Sequence, residues 1–95
     1  MTSGFDIRVL NVRPAGDGSG PVRAYVDVEL ENGVGKIRVF GCSAIHQDGK
    51  PAWVGFPKKP GKTKGKYFPV VELEGKVREL VVAAILDAVH EAQLI

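Results

Sequence analysis

Alternation of apolar and polar residues dominates the first half of the chain and predicts β-strands. It runs through residues 5–12 and, most regularly, through residues 22–30, where every second residue is apolar. One face of that strand is therefore expected to be buried, and the other to meet solvent. An Asn-Gly pair of the kind that tight hairpin turns favour comes next, followed by a further alternating segment at 34–40. Residues 22–42 are predicted to form a β-hairpin.

Shorter segments follow in the second half. Residues 52–56 and residues 66–71 each predict a short strand. The segment between them, residues 57–65, holds two prolines and two glycines. Proline has no backbone N–H to donate, which excludes a central strand here. We therefore expect residues 57–65 to be an exposed loop, and its lysines make it a basic one.

The last part of the chain carries a helical pattern, from about residue 74 to residue 92. Apolar residues recur there at spacings of three and four, with charged residues on the other side. Two further apolar residues, Val82 and Leu86, widen the apolar arc beyond the usual ~100°. A second copy of the chain would explain that width, and so would a helix set deeper into its own core. Candidates for a dimer interface are Val82, Leu86 and Val89.

Together the elements predict one α+β domain over residues 1–95, a mainly antiparallel sheet of four to five strands with one C-terminal helix packed on it. Hydrophobic residues make up 44% and charged residues 25%, which is ordinary for a globular protein. No apolar run approaches the ~20 residues of a membrane helix, and the first residues lack the pattern of a signal peptide. With Cys42 as the only cysteine, no internal disulfide is expected. These features favour a cytoplasmic protein that does not contact membranes.

Few residues suggest catalysis or metal binding. The Gly-Lys-Thr tripeptide at 61–63 lacks the spacing and the following helix of a phosphate-binding loop. The two histidines, His46 and His90, lie far apart in the chain, and with Cys42 they are too few for a typical zinc site. Cys42 has no evident base beside it and is expected to be a half-buried structural thiol. We therefore expect no enzyme, no cofactor, no metal and no small-molecule substrate.

Positive charge is concentrated in one place, although the net charge is only +2. Five lysines with no acid between them lie within residues 58–66, and lysines of this kind bind the phosphates of nucleic acids. Flanking aromatic rings can stack on unpaired bases. The expected nucleic-acid contacts are Lys58, Lys59, Lys62, Lys64 and Lys66, assisted by Arg38 and Arg23, and the stacking candidates are Trp53, Phe56 and Tyr67. The same pattern also fits a protein-interaction module, or a merely solvated loop beside core aromatics.

The order of several short motifs, spread over about residues 5–92, resembles the SpoVG family, named for stage V sporulation and septation in bacteria. These motifs are Arg-Ala at 23–24, Ile-Arg-Val at 37–39, Val-Gly-Phe-Pro-Lys-Lys at 54–59, Tyr-Phe-Pro-Val at 67–70 and Val-Ala-Ala-Ile-Leu-Asp-Ala at 82–88. The resemblance implies a homodimer that binds DNA, and in some members RNA, as a regulator of gene expression. The alternative is a protein-interaction adaptor in division or regulation that does not bind nucleic acid directly. It would use the wide apolar helix or an exposed strand edge.

Overall fold

A computed structural model describes residues 4–17 and 19–95. Within these residues, four strands form an antiparallel meander in chain order, two more form a separate antiparallel pair, and one helix ends the chain. The elements are β1 Asp6–Pro14, β2 Val22–Glu31, β3 Lys36–Ile45, β4 Trp53–Gly55, β5 Lys58–Pro60, β6 Tyr67–Pro69 and α1 Lys76–Glu91. The predicted α+β fold, with a mainly antiparallel sheet and a C-terminal helix packed on it, is confirmed.

Helix α1 covers one face of the meander, where its apolar stripe meets the apolar face of the strands. Val81, Ile85 and Val89 have no exposed surface, and they belong to one buried cluster with Val26 and Val28 of β2. Removing this apolar area from water is the main force that holds helix and sheet together. No helix among the described residues is long and apolar enough to cross a membrane.

Most of the apolar arc of α1 is covered by residues of the same chain. Val89 is fully buried, so it cannot line a dimer interface, and this part of the prediction was wrong. The other two candidates, Val82 and Leu86, are half-buried and pack against the core. Of the large apolar side chains on this helix, Leu80 remains exposed, at 38%. The width of the arc thus reflects mainly how deeply the helix sits on its own sheet.

Each of the two strands that pair with β2 has a bulge opposite Asp27. Strand β1 carries one extra residue there, Leu10, and β3 carries the pair Phe40 and Gly41. Gly41 has a φ of 83°, in the left-handed region that glycine adopts at low cost. This conformation turns the Gly41 N–H toward the Asp27 carboxylate, to which it donates a hydrogen bond of 2.9 Å.

Two carboxylates on the open face of the meander are buried, although alternation predicts that this side of β2 meets solvent. Asp27 is 7% exposed and Glu29 is 4% exposed. Arg13 donates two hydrogen bonds to Asp27, at 2.6 and 3.3 Å. Arg38 and Arg8 donate to Glu29 from the two neighbouring strands, at 3.0 and 3.2 Å. The bonds from Arg13 and Arg38 are the main reason that the pKa values of Asp27 and Glu29 lie below their usual range.

The segment predicted as a loop, residues 57–65, is only partly a loop. Its first half contains β5, which pairs with β6, so the prediction was wrong there. Both strands are edges of a two-stranded sheet, a place where proline is tolerated. The turn that joins them is closed by the Gly61 N–H, which donates to the Lys66 carbonyl at 2.8 Å. The Lys66 N–H in turn donates to the Thr63 carbonyl at 3.1 Å.

Candidate nucleic-acid interface

The basic hairpin, defined as residues 58–69, projects from the rest of the protein. No Cα atom of β5 or β6 lies within 8 Å of a Cα atom in another strand or in α1. At its base, the Val70 N–H donates to the Pro57 carbonyl at 3.0 Å. Just beyond, the guanidinium of Arg78 lies 5.9 Å from the centre of the Phe56 ring. The hairpin is therefore anchored at one end and open to solvent along its length.

Strand pairing divides the lysines between the two faces of the basic hairpin. Lys59 lies opposite Phe68, and Lys58 lies opposite Pro69. Since neighbouring residues of a strand point to opposite sides, Lys59 and Phe68 share one face. Lys58 shares the other face with Tyr67.

The face that carries Phe68 is concave. A cavity of about 460 Å³ opens there, lined by Phe68, the turn at 61–63 and three lysines, Lys59, Lys62 and Lys66. All three lysines are exposed. None of them forms an ion pair with a carboxylate in the described part of the chain. Three unneutralised ammonium groups around one concavity create a local positive potential that attracts anions.

The opposite face of the basic hairpin is less favourable to an anion. A second cavity, of about 440 Å³, is lined there by Lys58 and Tyr67 together with residues that follow the hairpin. Two of those residues are the acids Glu72 and Glu74, whose charges offset those of Lys58 and Arg78 in the same lining. Lys64 is exposed in the turn and lines neither cavity.

The two predicted arginines do not join the lysines. Arg38 lies on β3, where its Nε donates to the Glu29 carboxylate. Arg23 lies on β2, and its Nε donates to the His46 carbonyl at 3.2 Å. Both belong to the meander, so the structure places neither at the concave face of the basic hairpin.

The stacking candidates occupy three different environments. Trp53 is 42% exposed and lies on β4, outside the basic hairpin. Phe56 packs against the core beneath Arg78, which leaves it poorly placed to meet a base. Tyr67 is exposed on the face opposite Phe68. The aromatic ring that actually faces the lysine concavity, Phe68, was not among the candidates.

An exposed aromatic surface, which the sequence pattern did not predict as a unit, lies on the face of the meander that α1 leaves open. Strand alternation places Tyr25 and Trp53 there, and Phe40 follows the inward-pointing Val39 in β3. All three aromatic residues are at least 42% exposed. Three arginines of this face already bind the buried carboxylates, and Arg23 donates to a backbone carbonyl, so the face offers aromatic contact area with little free charge.

Cys42 and the tripeptide at 61–63 offer no reactive centre. Cys42 is fully buried, and burial raises the pKa of its thiol to about 11, so it stays protonated at neutral pH. The tripeptide lies in the turn between β5 and β6, with no helix after it to bind a phosphate. Among residues 4–17 and 19–95, no three His, Cys, Asp or Glu side chains are grouped to hold a metal ion.

Comparison of the chain with protein-family models, with curated proteins and with solved structures gave no match. The resemblance to the SpoVG family is therefore carried by the short motifs alone.

Proposed function

We propose that this protein is a cytoplasmic nucleic-acid-binding regulator of the SpoVG type, which contacts the phosphates of DNA or RNA through its basic hairpin. The observation that carries the proposal is the group of Lys59, Lys62 and Lys66, gathered around one concavity and without a carboxylate partner among the residues that the structure describes. Such ammonium groups displace the counterions condensed on a nucleic acid, and this release drives binding.

The shape of the basic hairpin supports the same function. Its strands have no Cα atom within 8 Å of another strand or of α1, so the concave face is accessible to a long polyanion. Lys64 in the turn and Lys58 on the second face can add contacts with phosphates farther along the same strand. Roles in gene regulation or in cell division and septation follow from the resemblance and are part of the proposal.

We also propose that the protein works as a homodimer. Val82 and Leu86 are only half-buried on α1, which leaves apolar area for a second copy. Sedimentation equilibrium at micromolar concentration is expected to give twice the mass of one chain. A single-chain mass would contradict the dimer without affecting the proposal for the hairpin.

One observation favours a second candidate function, a protein-interaction adaptor. Tyr25, Phe40 and Trp53 are exposed on the open face of the meander, and three arginines of that face are already paired with the buried carboxylates. Exposed aromatic area rimmed by polar groups is typical of protein contact surfaces. A nucleic acid would find little free positive charge on this face.

A binding panel distinguishes the two functions. The purified chain is titrated into labelled single- and double-stranded DNA and RNA, at about 50 and about 200 mM salt. With three to five phosphate contacts, we expect saturable binding that weakens by about 20- to 500-fold between the two salt concentrations. Absence of binding to every nucleic acid at the lower salt concentration would contradict the proposal and leave the adaptor function.

A further inference from the structure

We propose that the concave face of the basic hairpin holds an unpaired base stacked on Phe68, which makes the protein selective for single-stranded nucleic acid. The inference rests on the proposed function, because it concerns the same hairpin. It adds the class of ligand: a strand whose bases are free to leave their stack.

The Phe68 ring is held in place by a glycine, Gly61. A Cβ atom at Gly61 would clash with Cε2 of Phe68 and lie 3.1 Å from its Cδ2, so the ring rests where a side chain of residue 61 would be. The Gly61 backbone is itself fixed by its hydrogen bond to the Lys66 carbonyl. One part of the ring thus packs on a closed turn, while Phe68 as a whole remains 54% exposed.

The volume and the charge of the concave face both suit a nucleotide. A volume of about 460 Å³ lies within the range of about 300–1,000 Å³ that small-molecule sites occupy, which suits one base with its sugar. Lys59, Lys62 and Lys66 surround the same space and can contact the phosphates on either side of that nucleotide. An aromatic platform combined with a basic rim is the arrangement that proteins use for single strands.

A duplex and a single strand differ in how easily their bases reach the Phe68 ring. Within a duplex each base is already stacked on both sides, so an aromatic ring reaches it only after the base has been unstacked. A two-stranded ribbon can also enter the major groove of a duplex, and it would then read base edges with polar side chains. The turn at 61–66 carries mostly glycine and lysine; glycine has no side chain to read a base edge, and lysine can contact guanine but binds phosphates as readily. The ring on the concave face therefore favours the unpaired strand.

The test compares a single strand of roughly 12 nucleotides with the corresponding duplex. We expect Phe68→Leu to weaken binding of the single strand by about 5- to 150-fold, the loss that follows from removing one stacking ring. Binding of the duplex should change less than about twofold, because the phosphate contacts remain. Phe68→Trp keeps a stacking surface and should retain single-strand binding.

Two further variants make the test specific. Tyr67→Leu removes an adjacent ring of similar exposure from the opposite face and should change neither affinity. Gly61→Ala keeps the Phe68 ring but displaces it, and should weaken single-strand binding like Phe68→Leu. All these changes lie outside the buried core, and circular dichroism checks that each variant remains folded.

Each contrary outcome has a distinct meaning. If the wild type binds both the single strand and the duplex, and Phe68→Leu leaves both affinities unchanged, the stacking site is overturned while the proposed function stands. An equal loss with Tyr67→Leu would also overturn it, because the effect would not belong to the concave face. Absence of binding to either nucleic acid by the wild type would overturn the proposed function itself.

Discussion

Replacing Lys59, Lys62 and Lys66 together by glutamine is expected to lower the affinity for nucleic acid by about 100- to 500-fold at roughly 0.1 M salt. Each phosphate contact contributes about 0.7 to 0.9 to the slope of log affinity against log salt concentration. Removing three contacts should therefore flatten the slope by about two to three units, so the affinity of the variant falls behind that of the wild type by about 100- to 500-fold as salt is lowered from about 1 M to roughly 0.1 M. Fluorescence anisotropy with a labelled oligonucleotide, measured over a range of salt concentrations, gives both quantities.

The matched control removes three lysines that lie outside the basic hairpin. Lys36 and Lys76 each lie 3.9 Å from a carboxylate oxygen, and Lys50 lies in the connection before β4. Replacing these three by glutamine lowers the formal net charge from +2 to −1, as the hairpin variant does. We expect it to keep its affinity within about threefold, because paired surface lysines contribute few phosphate contacts. An equal loss in both variants would mean that overall charge, and not the hairpin, determines binding.

The second large effect concerns the stability of the fold on which the hairpin is built. Ile85 has no exposed surface at the centre of the helix–sheet contact. Its replacement by alanine should lower the free energy of unfolding by about 2–4 kcal/mol, since the lost burial and the cavity outweigh the better helix propensity of alanine. For a domain of this size that corresponds to a fall in Tm of roughly 10–25 °C.

Leu80→Ala is the control for this stability prediction, because it shortens an apolar side chain on the same helix. Leu80 is 38% exposed, so its truncation should cost less than about 1 kcal/mol. Thermal unfolding followed by circular dichroism measures both variants. A loss for Leu80→Ala as large as that for Ile85→Ala would show that α1 buries a different face from the one described.

Periodicity predicted the regular elements because each of them buries one side. The helix expected at about residues 74–92 is α1, Lys76–Glu91, and the expected hairpin over residues 22–42 is formed by β2 and β3. The helical pattern did not predict which parts of the apolar arc lie deepest, since that depends on the packing of α1 on the sheet. This is why Val89 was mistaken for an interface residue.

Alternation also failed at the acids of β2, for a different physical reason. It assigns Asp27 and Glu29 to the open face correctly, but it says nothing about the partners on neighbouring strands that cover them. Those partners come from sequence positions 9 to 21 residues away, on the two strands paired with β2, where Arg8 and Arg38 lie directly opposite Glu29. Long-range pairing of this kind has no local signal in the sequence.

The lysine cluster was visible in the sequence, but its division into two faces was not. That division depends on the pairing of β5 with β6. A strand was predicted at 66–71, but Pro57 and Pro60 argued against a strand in the segment that contains its partner. Once the pairing is known, the position of Phe68 opposite Lys59 identifies the ring that faces the concavity. Sequence reasoning chose Tyr67, its neighbour, which lies on the other face.

An NMR titration of the ¹⁵N-labelled protein with a single strand of roughly 12 nucleotides, at about 50 mM salt, tests the role of the basic hairpin most directly. We predict that the largest amide shift changes fall within residues 58–68 and that the open face around Tyr25 is unaffected. Largest changes on that open face or along α1, with the resonances of the hairpin unmoved, would contradict the proposed interface.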